Sequence, residues 1–207
     1  MASQQVQASK SEALKKASAA MGKTILYVVL YVIVAAAVQY VFASLLPSLG
    51  ISVADYAPYA QILLALAFGY LIVTGISQFF YWTMMSKYDH PTAAAVRNVV
   101  KIIGIGAMIA AIAGGVAGGA AGVALGGFLG MVIGFASQQV LGQAIAGLFL
   151  LLARPFRIGD SVNVAGEDGN VEDVSTLFTT IIKQDGTKVL VPNNAIIGAK
   201  IYLKKKA

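Results

Sequence analysis

The chain has 207 residues, of which 58% are hydrophobic and only 12% are charged, and its mean hydropathy is +0.77. Because soluble domains carry about 25% charged residues, half of the usual charge is absent. Asp55 is the only charged residue in 24–86, and residues 102–153 contain none. This composition excludes a soluble enzyme and a disordered chain, and the lack of cysteine excludes a disulfide-built domain. It is typical of an integral membrane protein.

Four apolar stretches in the predicted transmembrane domain, 24–153, are long enough to cross a bilayer. They cover residues 24–46, 57–86, 93–113 and 116–152. As one helix the last stretch would be about 55 Å long, which exceeds the ~30 Å hydrocarbon core. We therefore expect it to break or bend, with one part crossing the membrane and another lying near its surface. The basic segment 1–23 favours either a solvated tail or, in its second half, an amphipathic surface helix.

Lysine and arginine residues fall on one side of this topology. They occur in the segment 1–23, in the connection 87–101 and directly after the fourth span, whereas the loops 47–56 and 113–116 contain none. Since such residues mark the cytoplasmic membrane face, we expect both termini in the cytoplasm.

Three side chains are candidates for contact with the membrane border. Arg97 and Lys101 are one helical turn apart, which indicates either contact with lipid phosphates or plain anchoring at the cytoplasmic face. We favour anchoring, because the charge pattern already requires it. Trp82 follows an aromatic run and is typical of the interfacial belt.

The last part of the chain, 154–207, has a different character. Short runs rich in Val, Ile, Thr and Phe alternate with turn residues, and they predict strands at 161–164, 170–174, 177–183 and 188–191. We expect a small cytoplasmic β-domain that ends in a basic tail. Its eight basic and six acidic residues leave little net charge, which argues against nucleic-acid binding.

The fourth span is rich in glycine, with eleven in residues 114–147. Five of them recur at every fourth position: Gly118, Gly122, Gly126, Gly130 and Gly134. This spacing places them on one ridge of a helix, where the missing side chains allow another helix to approach. The ridge indicates either an ordinary tight helix pair or identical helices around a narrow apolar pore, and five glycines favour the pore. Polar residues begin at Ser137, and Gln139, Gly142 and Gly147 are candidate bend points.

Several motifs in order carry a family resemblance. They are the stretch 134–147, Arg154-Pro-Phe-Arg-Ile-Gly-Asp160, Gly169-Asn-Val-Glu-Asp-Val174, Asp185-Gly186 and Val191-Pro-Asn-Asn194. Over residues 93–200 the chain resembles the small-conductance mechanosensitive channel (MscS) family. The resemblance implies a homoheptamer in a prokaryotic plasma membrane, a pore lined by the bent last span, and an Sm-like β-domain.

The resemblance also assigns roles to single positions. The two apolar gate rings of the family fall on Met131 and Phe135, where leucines are usual. The kink falls on Gln139, where the best-known member has glycine, and a second hinge falls on Gly147, so we expect the bend at 142–147 as readily as at Gln139. The family continues into an α/β vestibule beyond the point where this chain stops, and we expect either a naturally short form without it or a truncated chain.

These observations predict a weakly selective ion channel that is opened by membrane tension and releases ions and small solutes on hypo-osmotic shock. Its expected partners are the lipid bilayer, further copies of itself and permeating ions, with no nucleic acid, metal or other cofactor and no enzymatic activity. A non-conducting membrane scaffold that presents the β-domain is the alternative. A secondary transporter is disfavoured, because it requires polar groups at mid-membrane.

Overall fold

The structure is a computed structural model that describes residues 2–51 and 53–204, without the side chains of 2–9 and 54. Four of its helices are long and apolar enough to cross a membrane: Lys10–Ser48, Ala57–Met85, His90–Ala117 and Gly119–Ala153. A five-stranded antiparallel sheet follows them. The predicted fold class, four spans and a small all-β domain, is therefore confirmed. The chain forms two compact units, Met1–Leu129 and Gly130–Ala207.

The first helix begins earlier than the first predicted span. Helix α1 runs over Ala2–Tyr40 and continues through a π-helical turn, Val41–Leu45, into the short helix α2, Leu46–Ser48. The polar N-terminal segment is therefore helical and continuous with the span, rather than separate from it. Its alanines, lysines and glutamate favour helix, no proline interrupts it, and Glu12 pairs with Lys16 one turn later at 2.7 Å.

Helix α3, Ala57–Met85, packs against both α1 and helix α4, His90–Ala117. Glycines allow these helices to approach closely. A Cβ atom at Gly104 would lie 2.7 Å from Val73 Cγ1, and one at Gly69 would lie 2.7 Å from Met108 Sδ. Because apolar side chains gain nothing from leaving lipid, close packing of this kind is what holds membrane helices together.

The connection between α4 and helix α5, Gly119–Ala153, is a single residue, Gly118. The sequence predicted the break between these two helices at residues 114–115, whereas in the structure it lies at Gly118. Gly118 has φ +93°, a backbone conformation that glycine adopts without strain. Gly114 stays inside α4 because it is needed for packing: a Cβ atom at Gly122 would lie 2.8 Å from its Cα atom.

The sheet has the strand order β4-β3-β2-β1-β5. Its elements are β1 (Ser161–Val164), β2 (Glu167–Val174), β3 (Phe178–Ile182), β4 (Lys188–Pro192), helix α6 (Asn193–Ile197) and β5 (Ile201–Leu203). Strand β2 begins three residues before its predicted start, because the hairpin turn lies at Ala165 and Gly166. Both have positive φ, 51° and 84°, which matches the tight two-residue turns of hairpins.

The core of the second unit combines the sheet with the end of α5. The buried apolar side chains alternate along the strands, as the period of two requires. They are Leu150, Phe156, Val162, Val164, Val171, Ile181, Val191 and Ile196. Leu150 belongs to α5, so the last turns of this helix are part of the β-domain core.

Candidate functional site

Helix α5 contains the candidate pore residues except Gly118, which was predicted on the glycine ridge but forms the connection before this helix. It is assigned as one α-helix over Gly119–Ala153, about 53 Å at 1.5 Å per residue. The length of the apolar run predicted a break or bend in this helix, and the structure shows no break. Glycine weakens a helix by about 1 kcal/mol per residue, but no proline removes a hydrogen bond within α5. Bending at Gln139, Gly142 or Gly147 stays a prediction.

The glycine ridge of α5 has two different environments. Gly122 lies against α4, since a Cβ atom there would be 3.0 Å from the Ala110 carbonyl oxygen, and one at Gly126 would be 3.9 Å from Ala110 Cβ. Gly130 and Gly134 have no heavy atom within 4 Å of the equivalent position. Part of the ridge therefore makes the ordinary tight helix pair that was the alternative interpretation, and the rest is open.

Met131 and Phe135 lie beside the open part of the ridge. Their side chains are one helical turn apart and expose 59% and 71% of their surface. Val123 and Phe128 on the same helix are similarly exposed, at 76% and 60%. A helix with exposed apolar residues and bare glycines beside them presents a surface that lipid or further protein must cover.

Polar side chains follow Phe135 along α5. Gln138 and Gln139 are exposed and Ser137 is half-buried. An open depression of about 430 Å³ lies at this point, lined by Phe135, Gln138, Gln139, Gly142 and Asn194. A Cβ atom at Gly142 would have no heavy atom within 4 Å, so the side of α5 that this glycine faces is open. At Gly147, in contrast, other parts of the chain lie against the helix.

Gly147, a predicted hinge, is buried where α5 meets the loop between β2 and β3. A Cβ atom at this position would lie 2.5 Å from the Thr176 carbonyl oxygen and would also overlap the Asn193 amide. Only glycine fits this close approach. In the structure Gly147 is therefore a docking position that lets the end of α5 contact the β-domain.

Asn193 organises the loop that receives Gly147. Its side chain is fully buried, its Oδ1 accepts a hydrogen bond from Thr179 Oγ1 at 2.8 Å, and its Nδ2 donates to the carbonyls of Ser175 and Thr176 at 2.8 and 3.0 Å. Asn193 belongs to the motif Val191-Pro-Asn-Asn194, but no role was predicted for it from the sequence. Asn193 directly follows strand β4, where the period of two no longer applies, so no pattern along the chain marked its side chain as buried.

The Arg-Pro-Phe-Arg motif joins α5 to the sheet. The Arg154 N–H donates to the Leu150 carbonyl at 3.0 Å and closes the helix, while Phe156 enters the core. The Arg157 N–H donates to Asp160 Oδ2 at 2.8 Å, and the Gly159 N–H donates to the Val171 carbonyl at 2.8 Å. The motif therefore attaches the segment that follows α5 to strand β2.

The candidate interface residues contact aromatic rings. The Arg97 guanidinium lies 5.2 Å from the centre of the Tyr81 ring, and Lys101 Nζ lies 4.9 Å from that of Tyr70 and donates to its hydroxyl oxygen at 3.2 Å. Cation–π contacts of this kind contribute about 0.5–2 kcal/mol. The two α4 cations thus hold α4 to α3, a role that neither sequence interpretation included. Trp82 has Lys16 Nζ at 4.7 Å from its ring centre.

Three titratable groups in loops have shifted pKa values, whereas α5 has no charged residue. The Glu167 carboxylate at 2.8 Å raises the pKa of Lys183. The Thr187 N–H, which donates to Asp185 Oδ1 at 2.9 Å, lowers the pKa of Asp185. A hydrogen bond from the Thr92 hydroxyl lowers the pKa of Asp89. Among the described residues no three His, Asp or Glu side chains could hold a metal ion.

Comparison with known proteins identifies the family. A family model described as "Mechanosensitive ion channel, beta-domain" matches residues 139–202. The small-conductance mechanosensitive channel of Edwardsiella ictaluri is 40% identical over 141 residues, which make up 66% of this chain and 48% of that protein. An uncharacterized MscS family protein of Archaeoglobus fulgidus is 44% identical over 71 residues, 34% of this chain and 25% of that one. The chain belongs to the MscS family.

Solved structures share the fold of this MscS-family chain. Helicobacter pylori MscS in its closed state has a TM-score of 0.57 at 19% identity, over 70% of this chain and 58% of that one. Arabidopsis thaliana MSL1 has a TM-score of 0.59 at 20% identity, over 91% of this chain and 65% of that one. The MscS-family chain spans less than half the length of the two curated relatives described above.

The matched family segment contains part of the candidate site. Residues 139–202 include the predicted bend positions at 139, 142 and 147 and the Asn193 network. Met131 and Phe135 lie before this segment. The family match therefore covers the residues of the docking contact but not the gate positions.

Proposed function

We propose that this MscS-family chain forms an ion channel that membrane tension opens, with α5 from several copies lining the pore. The observation that carries the proposal is the unpartnered surface of α5. Met131 and Phe135 are exposed beside Gly130 and Gly134, which leave open space in one chain. A second copy of α5 would fill that space, and the exposed apolar side chains would then point toward a common axis.

In the closed state the rings of Met131 and Phe135 form an apolar constriction. Such a constriction excludes water, and ions cannot pass without their hydration shell. Membrane tension favours the state that occupies the larger area, so it shifts a two-state equilibrium toward a wider arrangement of the helices. Bending or straightening of α5 near Gln139 and Gly142 would accompany the change, since the side of the helix that Gly142 faces is open.

The β-domain follows α5 as it moves. Leu150 and Phe156 share one core with the strands, and Gly147 is held against the loop at Thr176. The end of α5 and the sheet therefore move together, and the flexible part of the pore helix lies before Gly147. This arrangement supports a bend at 139–142 rather than at Gly147.

The family implies seven copies in a prokaryotic plasma membrane, with both termini in the cytoplasm. Residues 102–153 carry no charge, so the membrane part of the pore has no charged ring and selectivity is weak. Ions and small solutes would leave the cell through it on hypo-osmotic shock. The mechanism uses no chemical step, which agrees with a protein that is not an enzyme.

Purified protein in liposome patches tests the proposal. We expect current that increases steeply with applied suction, and a mass of the solubilised oligomer that corresponds to seven chains. An oligomer that carries no current at any tension below patch rupture would contradict the channel and favour the scaffold. A monomer would contradict both the pore and its apolar gate.

A further inference from the structure

A groove between α1 and α3 combines two lysines with an apolar floor. Its volume is about 390 Å³, and its walls include Lys16, Lys23, Tyr27, Leu71, Gln78 and Trp82. The two helices run antiparallel, so Lys16 lies near Trp82 at one end and Tyr27 lies near Leu71 at the other. The groove therefore changes from cationic to apolar along its length.

The two lysines point to the same side of α1. They are seven residues apart, which is two helical turns and about 10.5 Å along the axis. Lys16 Nζ contacts the Trp82 ring at 4.7 Å and pairs with Glu12 at 2.7 Å, whereas Lys23 makes no ion pair with any described residue. The groove thus keeps an excess of positive charge that the protein itself does not neutralise.

The floor of the groove is closed by a close contact between the helices. Thr24 is buried and donates its hydroxyl to the Ala20 carbonyl at 2.9 Å. A Cβ atom at Gly75 on α3 would lie 3.3 Å from Thr24 Cβ, so glycine allows the two helices to meet here. The helices therefore close the floor of the groove here, and Tyr27 and Leu71 form an apolar wall beside it.

We propose that this groove binds an anionic phospholipid. The phosphate lies between the ammonium groups of Lys16 and Lys23, and one acyl chain lies against Tyr27 and Leu71. Trp82 is at the depth of the headgroups, where tryptophan is enriched. Charge selects the ligand, because a basic residue near a membrane surface favours an anionic lipid by about fivefold. The inference rests on the membrane placement of the proposed function but not on tension gating.

Trp82 is the only tryptophan in the chain, so its fluorescence reports on the groove. The full chain is reconstituted in vesicles of phosphatidylcholine with a minority of phosphatidylglycerol, and either lipid carries brominated acyl chains, which quench tryptophan on contact. Quenching is normalised to vesicles without bromine. We expect brominated phosphatidylglycerol to quench far more per molecule than brominated phosphatidylcholine. Equal quenching per molecule by the two lipids would overturn the proposal.

A matched set of variants separates the groove from general surface charge. Lys16→Gln and Lys23→Gln should each reduce the preference for phosphatidylglycerol by about fivefold. Lys15→Gln removes the same charge at the same depth but from a residue outside the groove, and it should leave the preference unchanged. An equal loss in Lys15→Gln would overturn the proposal, since surface potential alone would then explain it. Lys23→Gln keeps the contact between Lys16 and Trp82, so the environment of the tryptophan ring, and with it the unquenched fluorescence, stays the same.

The measurement is independent of channel activity. A protein that shows the lipid preference but no stretch-activated current would contradict the proposed function and leave the lipid site supported. A protein that conducts but shows equal quenching would contradict the lipid site alone.

Discussion

Asn193 is a fully buried polar side chain that satisfies its hydrogen bonds entirely within the β-domain. Its amide makes three hydrogen bonds: it accepts from Thr179 on β3 and donates to the carbonyls of Ser175 and Thr176 in the loop before β3. A buried carbonyl that loses its donor keeps the full desolvation cost, about 1–3 kcal/mol. The Ser175 and Thr176 carbonyls of the loop that receives Gly147 thus accept from one and the same side chain.

Asn193→Ala should open this loop. Without the amide, the carbonyls of Ser175 and Thr176 lose the donor that they share, and we expect the local unfolding free energy of residues 175–179 to fall by about 1–3 kcal/mol. Hydrogen exchange of the purified protein in detergent, read by mass spectrometry over this segment, measures the change. Asn194→Ala is the control, because Asn194 is exposed and one position away. Equal protection in the two variants would show that the buried network does not hold the loop.

The helical hairpin of α4 and α5 shows how one sequence pattern serves two purposes. The glycines of α5 share one spacing, yet Gly122 contacts Gly114 across the hairpin whereas Gly130 is open. Successive positions four apart advance about 40° around a helix of 3.6 residues per turn. A ridge of this kind therefore turns away from its first neighbour and becomes available to a second one.

Two leucine substitutions separate these purposes. Gly122→Leu would force α5 away from α4, and we expect it to lower the free energy of unfolding in detergent by about 1–3 kcal/mol. Gly130→Leu meets open space in one chain, so it should leave the fold of the chain intact but raise the tension threshold by blocking contact between copies. Circular dichroism melts and patch recordings measure the two effects. A Gly130→Leu channel with the wild-type threshold would mean that this part of the ridge does not contact another copy.

At the scale of the whole molecule, a single chain leaves the apolar surface of α5 uncovered. Apolar side chains such as Met131, Phe135 and Val123 are more than half exposed on α5. A single helix cannot enclose a pore, so the function that we propose exists only in the oligomer. The gate is accordingly a property of the assembly, and substitutions there should change gating more than folding.

Met131→Ser and Phe135→Ser should each give a channel that leaks or opens at lower tension, because a polar ring no longer excludes water from the constriction. Patch recordings of tension threshold and resting current measure this. Ile133→Ser is the matched control, since Ile133 is an exposed apolar residue at the same depth on another side of the helix. If all three variants keep the wild-type threshold, Met131 and Phe135 do not form the gate.

Much of the membrane part follows from local patterns. Helices that cross a bilayer need long apolar runs, and three of the four runs correspond closely to α3, α4 and α5. The start of α1 was misplaced because helix propensity extends a helix past its apolar part. The turn at Gly118 was misplaced because Gly114 inside α4 serves packing. Strand β5 was predicted only as part of a basic tail. Its three residues are too short to show alternation, and pairing with β1 makes them a strand.

The sequence by itself determined the class of the protein, the number of spans and the absence of charge from the fourth span, since burial in lipid depends on local composition. Only the tertiary structure decided that Gly147 is a docking position, that Asn193 supports it, and that Arg97 and Lys101 contact aromatic rings of α3. Each of these contacts joins residues that are far apart in the chain. Spacing along one element cannot show which distant surface will meet it, and close packing of the folded chain makes that choice.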